Sequence, residues 1–456
     1  MPEGSKRMAV ANGLVEAFHD DQIVVALSDL DLVAAALGHL GVRTGRIQPH
    51  ESLGLALIPR LTGIQRGIQA LKQDSAVDRA LSAFVRDRAT EPGAPGLTQL
   101  DLLLKGLRVQ FAQRYQDWQP VIGKNHAINQ IAGSPHIGGG SVGDPLPTSN
   151  CLEPRDRHPA GGRGVRVGLL DTRIFPAQWL AGGYFALPGD LIDPEENLKA
   201  PQAHATSVAS RILNCAPAAE IHLRRTLDDY TTGDAWTAAT MMATIAAEGF
   251  DVVNLSFGEY FTDDGNPPIV LAAAAKLLCS RSVVVAAAGN HGNVSGLDPG
   301  LVPDGLAENS PSYPAALPGI VAVGALDPNG MPAAFSPKCA PWIRLMAPGS
   351  DLTVVYLSGN VLIQHKNIHG QIISHREEGF TGWAACSGTS YAAAIVTGEI
   401  AARTIPGRVT ARQALDTLLH PDEHRPASSI QPHLLDGPDM PARPAPARPR
   451  STHRAR

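Results

Sequence analysis

Residues 283–288 read Val-Val-Val-Ala-Ala-Ala, a strand-length run without a polar side chain, ended by Gly289-Asn290. A strand with one wet face alternates apolar and polar residues. A run this uniform needs cover on both faces, the condition of a parallel strand between layers of helix. The same pattern repeats on either side of it. Strand candidates fall at 165–170, 220–224, 251–256, 282–288, 320–325 and 342–346, and helix candidates at 204–213, 234–248, 267–279, 388–403 and 409–419. This alternation predicts an α/β fold with a doubly wound, mostly parallel sheet over residues 164–421. In such sheets functional groups gather where strands end and helices begin. A His-containing alternating stretch at 350–385 interrupts the rhythm and reads as a hairpin insertion.

Ahead of this domain, 22–27 (QIVVAL) and 53–58 (LGLALI) read as strands around a helix. That helix has Leu30, Val33, Ala34, Leu37 and Leu40 at helical spacing and Gly41 at its end. Residues 63–118 are more helical, with Leu102, Leu103, Leu107 and Phe111 as the buried stripe of the last helix. The expectation is a smaller N-terminal α+β domain over 1–120 that begins with a β-α-β pattern. A Gly/Pro-rich linker follows over 121–163, including Gly138-Gly139-Gly140 and Pro145-Leu146-Pro147. Beyond residue 421 the composition turns to Pro, Ala and Arg, so 422–456 reads as a disordered tail; an anionic partner is the other reading of its arginines.

The chain has 456 residues, 44% of them hydrophobic and 18% charged, ample for a large buried core. A formal net charge of -5 gives no basis for a nucleic-acid partner. Cys151, Cys215, Cys279, Cys339 and Cys386 are odd in number, scattered, and contain no CxxC pair. That argues against a disulfide framework or a zinc site and fits a reducing compartment. Acidic Glu16, Asp20 and Asp21 interrupt the N-terminal stretch, and no segment approaches the ~20 apolar residues that cross a bilayer. A cytoplasmic protein without a membrane partner is expected.

The chemistry-bearing stretch is Cys386-Ser387-Gly388-Thr389-Ser390-Tyr391-Ala392-Ala393-Ala394. It sets a serine hydroxyl at the positive end of an uncharged, hence buried, helix. An N-cap and a nucleophile are both compatible with that placement. Asp171 ends the strand Val167-Gly168-Leu169-Leu170, and His204 opens the helix His204-Ala205-Thr206-Ser207-Val208-Ala209. A serine attacks an amide only with an imidazole as base, and that imidazole needs a carboxylate to fix its tautomer. Asp, His and Ser occur here in one of the orders known for such triads.

With these residues in place the domain resembles the subtilisin-like serine proteases over about residues 160–420. The matching segments are Gly168-Leu169-Leu170-Asp171-Thr172, His204–Ala209, Asn254-Leu255-Ser256-Phe257-Gly258 and Ala286-Ala287-Ala288-Gly289-Asn290. Tyr313-Pro314-Ala315-Ala316, Phe335-Ser336-Pro337, Ala347-Pro348-Gly349 and Ser387-Gly388-Thr389-Ser390 complete the series. The resemblance implies a serine endopeptidase working through an acyl-enzyme. Ser390 would be the nucleophile, His204 the general base, Asp171 the orienting carboxylate and Asn290 an oxyanion-hole donor. Ser256, Phe257 and Gly258 would bind an extended protein or peptide substrate by strand addition.

Three positions depart from the family's habit: Arg173 and Ala205 replace glycines, and Ala394 replaces a proline. They motivate an alternative of another class, a pseudoprotease that binds peptides in its cleft without cutting them. No cofactor is expected. Structural calcium occurs in the family, and the nearest candidate here is the acidic loop Asp263-Asp264 with Asn266. For the N-terminal domain two roles stand, a removed propeptide and a retained module that recruits a regulatory protein partner. Residues 133–145 are a candidate cut site for the first.

Overall fold

The computed structural model describes residues 9–11, 14–16, 18–90, 97–130, 143–153, 161–230, 232–258, 260, 266–296, 306–366 and 372–420. Three positions singled out in the sequence lie outside them: the Gly138–Gly140 run, Asp263-Asp264 and the tail from 422.

The first part of the chain holds β1 (Ala9–Ala11), β2 (Leu14–Glu16), β3 (Phe18–Ala26), α1 (Leu30–His39), β4 (Gln48–His50) and β5 (Leu55–Ile58). Helices α2 (Ile64–Leu71), α3 (Ser75–Thr90) and α4 (Gln99–Arg114) follow, then β6 (Ile122–Gln130) and β7 (Leu146–Pro147). The second part begins with β8 (Arg166–Asp171), β9 (Tyr184–Phe185), α5 (His204–Cys215), β10 (Glu220–Arg225), β11 (Thr232–Asp234) and α6 (Ala235–Glu248). It continues with β12 (Val252–Leu255), β13 (Phe257–Gly258), α7 (Ile269–Cys279), β14 (Val283–Ala287), β15 (Ile320–Leu326) and β16 (Ile343–Pro348). The hairpin β17 (Leu352–Lys366) and β18 (Ile372–Cys386), then α8 (Thr389–Arg403) and α9 (Ala411–Leu419), complete it.

Seven strands form one parallel sheet in the order β16-β15-β14-β12-β8-β10-β9. Every residue of β14 and β15 is buried, as their unbroken apolar sequences require. On one face Leu170, Val253, Leu255 and Val284 pack with α6 and α7. On the other, Val167, Leu169, Ile221 and Leu223 meet α5 and the start of α8, while Val285 and Val323 meet the rest of α8 and α9. Strand β8 lies centrally, and the chain builds the sheet outward from it in both directions. The topological switch point therefore lies at its carboxyl end, where Asp171 sits. The doubly wound α/β architecture is as expected, and 350–385 is the expected hairpin.

The N-terminal part differs from its reading in two ways. Strands β3 and β5 run antiparallel, Ile23 opposite Ile58 and Ala26 opposite Leu55, so α1 is not the crossover of a parallel β-α-β unit. The region read as a linker opens with the nine-residue strand β6. β6 lies inside a sheet of order β11-β6-β3-β5-β4 and also pairs with β13. Its polar sequence is accommodated by specific partners. Lys124 forms an ion pair with Asp101 at 2.6 Å and lies over the Phe18 ring, and Asn125 accepts the Trp236 amide at 2.9 Å. β6 thus belongs to both halves. Leu53, Leu55 and Leu57 extend the contact by packing into the α6–α7 core. Among the described residues no helix is long and apolar enough to cross a membrane.

Candidate active site

One strand end and two helix starts meet at this switch point. Asp171 ends β8 with no exposure, and its Oδ1 lies 2.7 Å from Nδ1 of His204, the first residue of α5. The Thr172 amide donates to the same carboxylate oxygen at 2.7 Å. An ionised carboxylate only accepts, so the shared proton sits on Nδ1 and leaves Nε2 as the basic face of the ring. Thr172 also ties the two elements together: its hydroxyl accepts the Ala205 amide at 3.2 Å and donates to the Arg173 carbonyl at 3.1 Å.

Ser390 lies in the first turn of α8, 1% exposed. The adjacent Thr389 fastens this turn to the end of β14. Its amide donates to Oδ1 of Asn290 at 2.8 Å, and the Gly289 amide donates to its hydroxyl at 3.1 Å. With Oδ1 committed to Thr389, the Asn290 carboxamide presents Nδ2 on its other side, near Gly388. The Ser390 turn and the His204 ring meet through Tyr391, whose buried ring centroid is 6.3 Å from that of His204. Nε2 of His204 and Oγ of Ser390 are both buried without a hydrogen-bond partner among the described residues.

The helices bearing these two residues touch closely. A Cβ on Gly398 of α8 would lie 2.6 Å from the Ile212 carbonyl of α5, so this position requires glycine. Ala205 and Ala394, the two small departures, are completely buried in the core shared by α5 and α8. Next to Asn290, His291 donates Nε2–H to the Ser310 carbonyl at 2.9 Å. Burial pushes its imidazole down to about 4, overriding that bond. Ser256 donates to Asn254 at 2.9 Å, and Asn254 donates to Thr397 of α8 at 2.9 Å. This buried chain braces the β12–β13 edge against the serine helix. Phe257 points into the core. Both Phe257 and Gly258 face β6: Phe257 is opposite Gln130 and Gly258 opposite Asn129.

The site therefore brings together Asp171 with His204 and Ser390 with Asn290, and sets Ser256–Gly258 beside an antiparallel strand. Sequence reasoning missed Thr172, Thr389 and the Asn254–Thr397 link as supports, since each partner lies at least 33 residues away in the chain. Among the described residues no group of three His, Cys, Asp or Glu could hold a metal ion.

The C-terminal part of the chain is similar to known proteins. The Subtilase family model matches residues 162–420. Subtilisin DY of Bacillus licheniformis is 29% identical over 209 residues, 43% of this chain and 69% of that protein. Subtilisin Savinase of Lederbergia lenta is 31% identical over 207 residues, 43% of this chain and 67% of that protein. Among solved structures, a mutant of the protease domain of PatA has 22% identity and a TM-score of 0.41, covering 54% of this chain and 81% of that one. A lanthipeptide protease has 22% identity and a TM-score of 0.40, covering 57% and 80%. The C-terminal part is thus a serine peptidase domain, and the chain belongs to the subtilase family.

Proposed function

We propose that the protein hydrolyses peptide bonds through an acyl-enzyme on Ser390. The observation that carries this reading is the buried Asp171–His204 hydrogen bond of 2.7 Å, set beside a helix-initial serine that is fastened to Asn290 through Thr389. His204 Nε2 takes the proton as Ser390 Oγ bonds to the scissile carbonyl carbon. Asp171 stabilises the resulting imidazolium. The negative oxygen of the tetrahedral intermediate is held by Asn290 Nδ2 and the Ser390 amide. The C–N bond then breaks as His204 returns its proton to the leaving amine, and a water repeats the sequence to free Ser390. A fluorophosphonate probe is expected to label Ser390 in the folded protein and to leave Ser390→Ala unlabelled. A peptide-binding scaffold without chemistry predicts no labelling of either.

A second reading concerns the N-terminal part and rests on the register of β6. Residues 127–129 pair with β11 and residues 129–130 with β13, so this strand occupies the groove an extended substrate would use. The N-terminal domain then acts as an intramolecular occupant of the cleft, removed when the chain is cut just beyond β6. Ile128, fully buried in the core that contains Leu227, Leu255 and Phe257, marks a pocket for an aliphatic substrate side chain.

A further inference from the structure

Arg173 follows Asp171-Thr172 directly, and its side chain is only 12% exposed. Its guanidinium makes two forked contacts. Nη1 and Nη2 donate to Glu196 at 3.1 and 2.5 Å, and Nε and Nη2 donate to Asp229 at 2.9 and 2.7 Å. Burial opposes the charge, but the bonds to Glu196 and Asp229 outweigh it and hold the guanidinium above the ordinary arginine range. Two bidentate pairs on one guanidinium fix orientation as well as charge, which lysine cannot reproduce.

The two carboxylates lead to different parts of the site. Glu196 also accepts from Gln202 at 2.6 Å, and Gln202, 2% exposed, lies two residues before His204. Asp229 belongs to the loop between β10 and β11. Its neighbour Asp228 accepts the amide and hydroxyl of Thr232, the first residue of β11, at 2.9 and 2.8 Å. One cation thus joins the exit of the Asp171 strand, the lead-in to the His204 helix and the loop that sets the outer wall of the peptide groove.

We propose that Arg173 is a positioning residue that locks the Asp171–His204 pair through Glu196 and the β11 wall through Asp229. This rests on the triad reading above. With the guanidinium gone, two carboxylates share one site, and among the ion pairs of the described residues Arg225, 3.5 Å from Asp229, is left to offset them. Both loops then separate.

The test uses the full chain, incubated to constant mass, with an internally quenched peptide long enough to span β11 and β13. Glu196→Gln is expected to lower kcat roughly tenfold with KM nearly unchanged, because it loosens the imidazole alone. Asp229→Asn is expected to raise KM severalfold with kcat nearly unchanged. Arg173→Ala shows both effects, and Arg173→Lys restores less than half of either. If Glu196→Gln, Asp229→Asn and Arg173→Ala change kcat and KM in the same proportion, or follow only their losses of Tm, the proposal is overturned. A readout independent of turnover separates it from the triad reading: the low-field proton resonance of the His204 Nδ1–H, recorded in the Ser390→Ala background. It should broaden in Arg173→Ala and Glu196→Gln and persist in Asp229→Asn. Persistence in all three overturns the brace even if Ser390 is the nucleophile. Loss on the Glu196 side supports it even if wild type fails to acylate.

Discussion

The backbone amide of Thr389 donates to Oδ1 of Asn290 across 2.8 Å, joining the first turn of the serine helix to the end of β14. Its oxygen locates the turn carrying Ser390, and in the proposed mechanism its nitrogen would donate to the developing negative charge. Replacing Asn290 by Ala removes both. Turnover is expected to fall roughly 10²–10³-fold with little change in KM, the size known for such a donor in subtilisin. Steady-state kinetics on the processed protein checks it, and an unchanged kcat would remove Asn290 from the oxyanion hole.

Ile128 anchors β6, the strand proposed to occupy the groove. Placing a carboxylate in its fully buried position costs several kcal/mol. In Ile128→Asp, β6 should leave β11 and β13, and His204 and Ser390, each 1% exposed in the intact chain, should open to solvent. Fluorophosphonate labelling of the full chain is expected to accelerate at least tenfold, as an open cleft would allow. Equal labelling rates for variant and wild type would mean that β6 does not guard the site.

Mass spectrometry reports self-processing. Wild type is expected to lose β6 and the residues ahead of it, with a new amino terminus just beyond Gln130 where β6 ends. Ser390→Ala should keep its full mass. Identical masses would rule out cutting by the chain itself.

His291 makes stability depend on pH. Its imidazole is held down to about 4 in the folded protein, below the ordinary 6.5, so the unfolded chain binds the proton more readily between those values. Stability is therefore intact above 6.5 and is lost as pH falls toward 4, by about 3 kcal/mol in all. His291→Asn should flatten this part of the curve. Denaturant unfolding of both forms at several pH values in that window measures the difference.

Gly398 sets the distance between the helices of His204 and Ser390. A methyl group there meets the Ile212 carbonyl at 2.6 Å and Cys215 Cβ at 2.7 Å, so α8 must move away from α5. Gly398→Ala should cost about 1–3 kcal/mol of stability. The labelling rate at Ser390 should fall by more than the unfolded fraction explains.

The central sheet was legible because its strands must be apolar on both faces, and Val283–Ala288 admits little else. Asp171, His204 and Ser390 were legible because strand exits and helix starts are punctuated in the sequence. β6 was not. Its Lys124-Asn125-His126 centre looks like surface loop until Asp101, Trp236 and Phe18 are seen to meet it. The β3–β5 pairing escaped for a different reason: the order of elements along a chain does not say whether two strands run the same way. Arg173 appeared only as a departure from a family pattern, since its partners lie 23 and 56 residues away.

The sharing of β6 between two halves of one chain changes what controls access to the groove. As the proposed occupant of the groove, a strand belonging to the same chain would compete at an effective concentration of order 1 mM, whatever the dilution of the protein. Free peptides at micromolar levels lose that contest unless they bind about a thousandfold better. Under the proposed reading, while β6 stays attached the supply of substrate would have little influence on turnover, and the timing of activity would pass to whatever severs the tether.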